Sequence, residues 1–295
     1  MTRRCALLVN PGGKQIDDTV AAIRDRLVQR GGLDVSVMQG ESARETADLA
    51  RCAVDAGTDI VAAMGGDGTV HLAVQALANS ASRLGIIATG TGNDVARYLD
   101  LPRRRPIEAA DVIADGAVRQ IDLGRTGATY FTTVLAAGFD SLVNERANAM
   151  RWPRGQMRYN LATLAELRVF ESTRYTLELD GERRQLDAML VAVGNGPSYG
   201  GGLQICQGAL LDDGELDVVV ISPISKPELL KVYPRLFTGT HVTHPAYQHF
   251  RVRRVSVAAP DIVAYADGER LGPLPMTVEV AAGALEVCVP ERGSR

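Results

Sequence analysis

Apolar residues recur in this chain in two ways, and the change from one to the other near residue 117 divides it. Up to about residue 122, short apolar runs alternate with segments of helical spacing. Strands are predicted at Cys5 to Val9, Val35 to Met38, Ile60 to Met64 and Leu84 to Ala88. Helices are predicted between them: Ile16 to Gln29, with Val20, Ile23 and Leu27 on one face and a stop at Gly31-Gly32; Ala43 to Ala56, closed by Gly57; Val70 to Asn79; Val95 to Leu99; and Pro106 to Ala114, with proline near its first position. Such alternation implies a doubly wound α/β domain with a parallel sheet.

From about Ala117 the pattern becomes a series of short β-like runs, many separated by Asp-Gly or Gly-Gly turns. They are Val118 to Leu123, Tyr130 to Leu135, Arg174 to Leu179, Ala188 to Val193, Leu216 to Ile221, Arg251 to Val257, Ile262 to Tyr265, Met276 to Val280 and Leu285 to Val289. Two helical insertions interrupt them, Gln156 to Phe170 and Lys226 to Phe237. The expected organisation is an α/β domain over residues 1–122 and a mostly β sandwich over 123–283. The end of the chain, 284–295, either completes the sandwich or returns to the first domain, and the return is preferred.

Three of the α/β strands run into glycine turns that open helices. The first is Asn10-Pro11-Gly12-Gly13-Lys14, the second Gly65-Gly66-Asp67-Gly68-Thr69, the third Thr89-Gly90-Thr91-Gly92-Asn93-Asp94. Glycines let a polyphosphate approach backbone N–H groups, and a helix start adds unpaired donors and a positive dipole end. Asp67 would repel that anion unless a divalent cation, with Mg²⁺ the first choice, stood between them. Taken alone, such a turn is equally a tight strand-to-helix connection. There is no Gly-Lys-Ser/Thr of a phosphate-binding loop and no G-x-G-x-x-G spacing. Ligands of open parallel sheets bind beyond the carboxyl ends of the strands, where all three turns fall.

Composition narrows the classes. With 295 residues, 46% hydrophobic and 23% charged, the chain is an ordinary globular one of about two domains. No run reaches a membrane span, and the start lacks a signal-peptide core, so a cytoplasmic protein is expected. A net charge of -3 argues against nucleic-acid affinity, leaving local basic clusters at Arg103 to Arg105, Arg151 to Arg158 and Arg251 to Arg254. Cys5, Cys52, Cys206 and Cys288 are too scattered for a zinc or redox pair. The run Asp212-Asp213-Gly214-Glu215-Leu216-Asp217 puts four carboxylates in six residues, which reads as an acidic turn or a cation site. Gly194 to Gly202 holds five glycines in nine residues, either a loop facing a site or a plain hairpin loop.

Taken in order, Asn10-Pro11-Gly12-Gly13, Gly65 to Thr69, Gly90-Thr91-Gly92-Asn93-Asp94-Val95-Ala96-Arg97, Gly138-Phe139-Asp140, Tyr199 to Gly202, the acidic turn and Asp267-Gly268-Glu269 resemble the diacylglycerol kinase catalytic-domain superfamily over nearly the whole chain. The stretch Arg146 to Pro153 with Tyr159 looks like its soluble actinobacterial members. The resemblance implies an NAD-kinase-like α/β domain, an ATP site in the interdomain cleft, and phosphorylation of diacylglycerol to phosphatidate. It implies nucleotide contacts at Asn10, Gly65, Gly66, Asp67, Gly68, Thr69 and Thr91. It also implies Mg²⁺ held through Asp67, Asp94 and Asp122, and a structural metal bound by the Asp213 carboxylate and the carbonyls of Leu210 and Glu215. Two Asp-Gly-Glu turns compete for the catalytic base; by position in the family pattern the resemblance assigns Glu269 and leaves Glu182 as a hairpin residue. The resemblance implies a lipid partner, hence an anionic membrane surface met peripherally; Met150 to Tyr159, with three arginines among aromatic and Met side chains, reads either as part of that lipid-facing surface or as a plain basic helix start, and a second copy of the chain is a further candidate partner.

The pattern is broken at His71-Leu72, where many members carry Asn-Glu; His71 is read as a helix-surface or partner-capped histidine. No match is found near Gln39 to Ser42 for a nucleotide-contacting threonine. Alternative readings remain a sphingoid-base or ceramide kinase, an NAD kinase, and a catalytically weak lipid-binding regulator.

Overall fold

A computed structural model of the chain describes residues 2–9, 16–150, 152, 161, 162, 165 and 171–291. They divide into two compact units: residues 1–123, 211–213 and 281–295 form the first, 124–210 and 214–280 the second.

In the first unit the predicted alternation is realised. Strands β1 (Arg4–Val9), β2 (Asp34–Gln39), β3 (Ile60–Gly65) and β4 (Arg83–Ala88) form a parallel sheet in the order β2-β1-β3-β4. A further strand, β16 (Met276–Cys288), lies parallel to β4 with Val287 beside Leu84. Helices α1 (Ile16–Gly31) and α5 (Pro106–Asp115) cover one face, where Ile23, Leu27, Ala110 and Ile113 pack on Leu7, Ala62 and Ile87. Two ion pairs, Arg26–Asp111 (2.5 Å) and Arg30–Asp115 (2.7 Å), tie them together. Helices α2 (Ala43–Asp55), α3 (Asp67–Leu77) and α4 (Asp94–Tyr98) complete the unit. Strands β1, β3 and β4 are buried on both faces, which is why they read as continuous apolar runs. Helix α3 starts at Asp67, three residues before the apolar spacing suggests, because Gly68 and Thr69 already have helical backbone.

The second unit is a sandwich. One sheet has the antiparallel order β12-β11-β10-β7-β14-β15: Tyr247–Val252, Leu216–Ile221, Leu190–Gly194, Val134–Gly138, Val263–Ala266 and Glu269–Pro273. Facing it are β13 (Arg254–Ala258), β8 (Thr173–Leu179), β9 (Glu182–Ala188) and the first residues of β16. Inward side chains of both layers form one core, with Leu135, Val191 and Val218 from the first and Tyr175, Val255 and Val278 from the second. Strands β5 (Val118–Thr126) and β6 (Thr129–Phe131) pair with each other, and α6 (Phe139–Ala149) follows β7.

Several boundaries differ from expectation. The run Tyr130 to Leu135 is two strands separated by a bend at Thr132-Thr133, and Arg251 to Val257 is two strands of different sheets, broken at Arg253. The two final runs are one strand, β16. Lys226 to Phe237 is α7 (Lys226–Val232) followed by a 3₁₀ turn, Tyr233–Phe237, since Pro234 has no N–H to continue the α ladder. Helix α6 and strand β15 were not expected. Most of the predicted helix Gln156 to Phe170 lies outside the described residues, of which Leu161, Ala162 and Ala165 are helical.

Candidate functional site

In the first unit the second and third glycine turns sit side by side because β3 and β4 are neighbours, and Thr89 donates its N–H to the Gly65 carbonyl at 2.9 Å. Asp67 binds one turn to the other. Its Oδ2 accepts the backbone N–H of Asn93 at 2.7 Å and its Oδ1 that of Asp94 at 2.8 Å. The approach leaves no room for side chains: a Cβ on Gly90 would stand 2.6 Å from the Gly66 Cα, and one on Gly92 would collide with Asp67 Oδ2. Asn93 takes the left-handed conformation at φ +53° and closes its own turn by donating Nδ2 to the Gly90 carbonyl.

Of the expected nucleotide contacts, Thr91 and Gly68 are exposed, Gly66 and Asp67 half-buried, and Gly65 and Thr69 buried, with the Thr69 hydroxyl pressed against Gly65. Asn10 and Lys14 lie outside the described residues. Asp94 is buried beside Asp67, and Arg97 one turn on donates to the Gly92 carbonyl at 3.2 Å and stands 3.9 Å from the Asp94 carboxylate. Arg97 was not singled out in the sequence; its i,i+3 spacing from Asp94 is the signal that could have found it.

Asp122 does not join this pair. It is buried in β5, where its Oδ1 accepts the Gly283 N–H and its own N–H goes to the Leu211 carbonyl. Among the described residues no group of three or more His, Cys, Asp and Glu could hold a metal ion. Three carboxylates of the acidic turn have side-chain partners: Asp212 pairs with Arg119 at 2.8 Å, Glu215 with Arg251 at 2.7 Å, and Asp217 is hydrogen-bonded to His249 at 2.5 Å. His71, expected to be a helix-surface or partner-capped histidine, is buried on α3 with its Nε2 facing Gln75 Nε2 at 3.5 Å.

The two Asp-Gly-Glu turns, alike in sequence, have one backbone. Each is a two-residue hairpin loop with positive φ at both central residues, +48° and +93° at Asp180-Gly181, +51° and +87° at Asp267-Gly268. Their glutamates differ. Glu182 forms an ion pair with Arg184 at 2.8 Å. Glu269 is exposed and its carboxylate has no partner among the described residues.

The 267–269 turn is also the more firmly held. Asp267 Oδ2 accepts from Thr132 N (2.8 Å) and Oγ1 (3.1 Å), and Oδ1 accepts from Thr133 N (2.9 Å) and Oγ1 (2.6 Å). Beyond Glu269, Arg270 donates to Glu145 of α6 at 2.8 Å, and the Tyr265 hydroxyl donates to the same oxygen at 2.6 Å. The tyrosine hydroxyl and then Arg270 hold the Glu145 carboxyl below its ordinary pKa of 4.5. Thr132, Thr133 and Glu145 were missed in the sequence because none of them lies near the turn in the chain, and Tyr265 and Arg270, which flank it, were missed because their shared acceptor Glu145 is 120 and 125 positions away.

The second unit also contains an apolar cavity between the sheet and the α7 segment, lined among others by Phe139, Met189, Ile205, Ile224, Leu229 and Leu236. No helix among the described residues is long and apolar enough to cross a membrane. The basic segment Arg151 to Tyr159 lies outside the described residues apart from Trp152, which is exposed.

Comparison with known proteins identifies the family. Residues 4–126 match the model of the diacylglycerol kinase catalytic domain, and residues 133–289 that of the YegS C-terminal, NAD kinase β-sandwich-like domain. A diacylglycerol kinase of Mycobacterium tuberculosis is 44% identical over 91% of this chain and 88% of its own. One of Bacillus subtilis is 28% identical over 92% of each, and a Pseudomonas fluorescens protein named only as a YegS-like lipid kinase is 30% identical over 99% and 97%. A solved structure described as a diacylglycerol kinase from Bacillus anthracis superposes with a TM-score of 0.75 at 19% identity, covering 98% of this chain and 97% of the other. At that identity the likeness speaks to the fold.

Proposed function

The chain belongs to the diacylglycerol kinase family, and from that premise we propose that it transfers the γ-phosphate of ATP to the free hydroxyl of diacylglycerol, giving phosphatidate, with Glu269 as general base. The observation that carries the assignment of the base is the Glu269 carboxylate, without a partner among the described residues and on a turn braced on both flanks, against a Glu182 already paired.

In a loose phosphoryl-transfer transition state the attacking hydroxyl needs little deprotonation beforehand, so a carboxylate that orients it and accepts its proton suffices. Glu269 has that role here. The glycine turns at 65–69 and 90–92, with Asn10 and Thr91, are proposed to receive the phosphates and nucleoside of ATP. Asp67 and Asp94 fit a Mg²⁺ ion: each oxygen of Asp67 accepts one N–H and keeps a further lone pair, and Asp94 lies beside it. Bound Mg²⁺ supplies neutralisation of the negative charge on the phosphoryl oxygens. Asp122 has a supporting role through β5 in this reading. For the acidic turn we carry forward a structural cation on Asp213 and the carbonyls of Leu210 and Glu215, with the other three carboxylates engaged by Arg119, Arg251 and His249.

The apolar lining of the cavity in the second unit is consistent with an apolar acceptor and unlike a nucleotide site. Contact with an anionic membrane surface belongs to the same proposal. A second reading, a different lipid alcohol as acceptor, is favoured by the YegS-like relative.

The test is transfer of labelled γ-phosphate from ATP with Mg²⁺ to diacylglycerol, sphingosine, ceramide and NAD, with Glu269→Ala beside wild type. Label in phosphatidate that is lost in the variant supports the proposal. Label only in a sphingolipid or in NADP replaces the acceptor, and undiminished phosphatidate in the variant removes Glu269 as the base.

A further inference from the structure

We propose that Thr132 and Thr133 are positioning residues for the reaction: through Asp267 they fix the turn that carries Glu269. The inference rests on the reading of Glu269 as the base.

Asp267 is a non-glycine residue in the left-handed region, a conformation that the local chain does not favour and that a short polar side chain can stabilise by hydrogen bonding. Here the stabilising contacts are non-local. Both carboxylate oxygens are engaged, each by one backbone N–H and one hydroxyl of consecutive threonines. The threonines are themselves immobilised from the other side. Asn195 and Gly196 donate their N–H groups to the Thr133 carbonyl at 2.8 and 2.9 Å, and Asn195 Nδ2 donates to the Thr132 carbonyl at 3.0 Å. Thr132, Thr133 and Asn195 are all buried. A chain of short polar contacts therefore runs from the Gly194 to Gly196 loop through the threonine bend to the turn two residues before Glu269.

The Asp180 turn provides an internal comparison. Its carboxylate also accepts two consecutive backbone N–H groups, from Arg253 and Arg254, which shows what a hairpin of this type needs for its fold. Hydroxyl donors are added only at Asp267. Backbone N–H groups define where the aspartate lies; the two hydroxyls add a second, differently directed donor to each oxygen and so oppose rotation of the carboxylate and tilting of the turn. A catalytic carboxylate gains from such restraint because misplacement by about 1 Å can cost on the order of 100-fold in rate. Glu182, which stays on the surface with Arg184, has no such need.

The experiment is a double-mutant cycle on the full chain, read as kcat and KM for ATP and diacylglycerol, with thermal stability alongside. Thr133→Val removes the hydroxyl while keeping the backbone donor, and is expected to lower kcat by about 10- to 100-fold with KM for ATP within twofold. Thr133→Ser, which restores a hydroxyl, is expected to recover most of the rate. In a Glu269→Ala background Thr133→Val is expected to cost nothing further. Thr132→Val gives the same test if Thr133→Val does not fold. Full activity of Thr133→Val, or an undiminished effect of it in the Glu269→Ala background, overturns the positioning role alone. Full activity of Glu269→Ala overturns the assignment of the base and the positioning role with it.

Discussion

The carboxylate of Asp67 accepts the backbone N–H of Asp94 at 2.8 Å, so two candidate metal-binding aspartates are joined by a bond that involves the side chain of only one. Asp67 thus has a structural duty besides any charge it offers to a cation. Asp67→Ala leaves the Asn93 and Asp94 N–H groups without their acceptor and is expected to lower stability by about 1–3 kcal/mol, measured by urea unfolding. Single-turnover rates are expected to fall at least as far as in Glu269→Ala.

The two Asp-Gly-Glu turns should separate cleanly in kinetics. Glu269→Gln is expected to lower kcat by about 10²–10⁴-fold, the usual contribution of a general base, with little change in folding. Glu182→Gln removes an exposed ion pair to Arg184 and is expected to leave kcat within twofold and stability within about 1 kcal/mol.

Gly90→Ala tests the packing of the glycine turns. The added Cβ would lie 2.6 Å from the Gly66 Cα, so one turn must move away from the other. The expected result is a rise in KM for ATP of tenfold or more together with a lower melting temperature. An unchanged KM for ATP would remove the paired turns from the nucleotide site.

The Glu145 network predicts a pH dependence of stability. A carboxyl whose pKa is depressed by folding stabilises the native state above its unfolded pKa, and the contribution is lost as pH falls through the folded value. Wild type is therefore expected to exceed Glu145→Gln in stability at neutral pH, and the difference to vanish as pH is taken below 4.5. Arg270→Ala should reduce that difference without abolishing it, because Tyr265 is the larger contributor.

Much of this was readable in the chain, and the failures have a common cause. The first sheet and its helices follow from local periodicity, since doubly buried strands and one-sided helices advertise themselves. The breaks at Thr132-Thr133 and at Arg253 do not. At both, consecutive backbone N–H groups are drawn out of the strand ladder by the aspartate of a distant Asp-Gly turn, Asp267 in one case and Asp180 in the other. No window of sequence contains both partners. The same limit hid the braces around Glu269: Thr132, Thr133 and Glu145 come beside the turn only when the sheet forms. Sequence order and the family pattern singled out Glu269 from Glu182; the difference in their partners gives that choice a physical basis.

Strand β4 obtains its outer neighbour from residues near 287, about two hundred positions later in the chain. At translation speeds of about 5–20 residues per second, a nascent first unit would wait on the order of 10–40 s with the backbone of β4 around Leu84 unmatched on that side, Ala88 alone being met there by Arg103 and Arg104. During that interval the edge is open to any extended segment, including the strands of the second unit as they emerge. A chaperone that shields the edge of β4 should therefore raise the yield of folded protein more than one that acts after release from the ribosome.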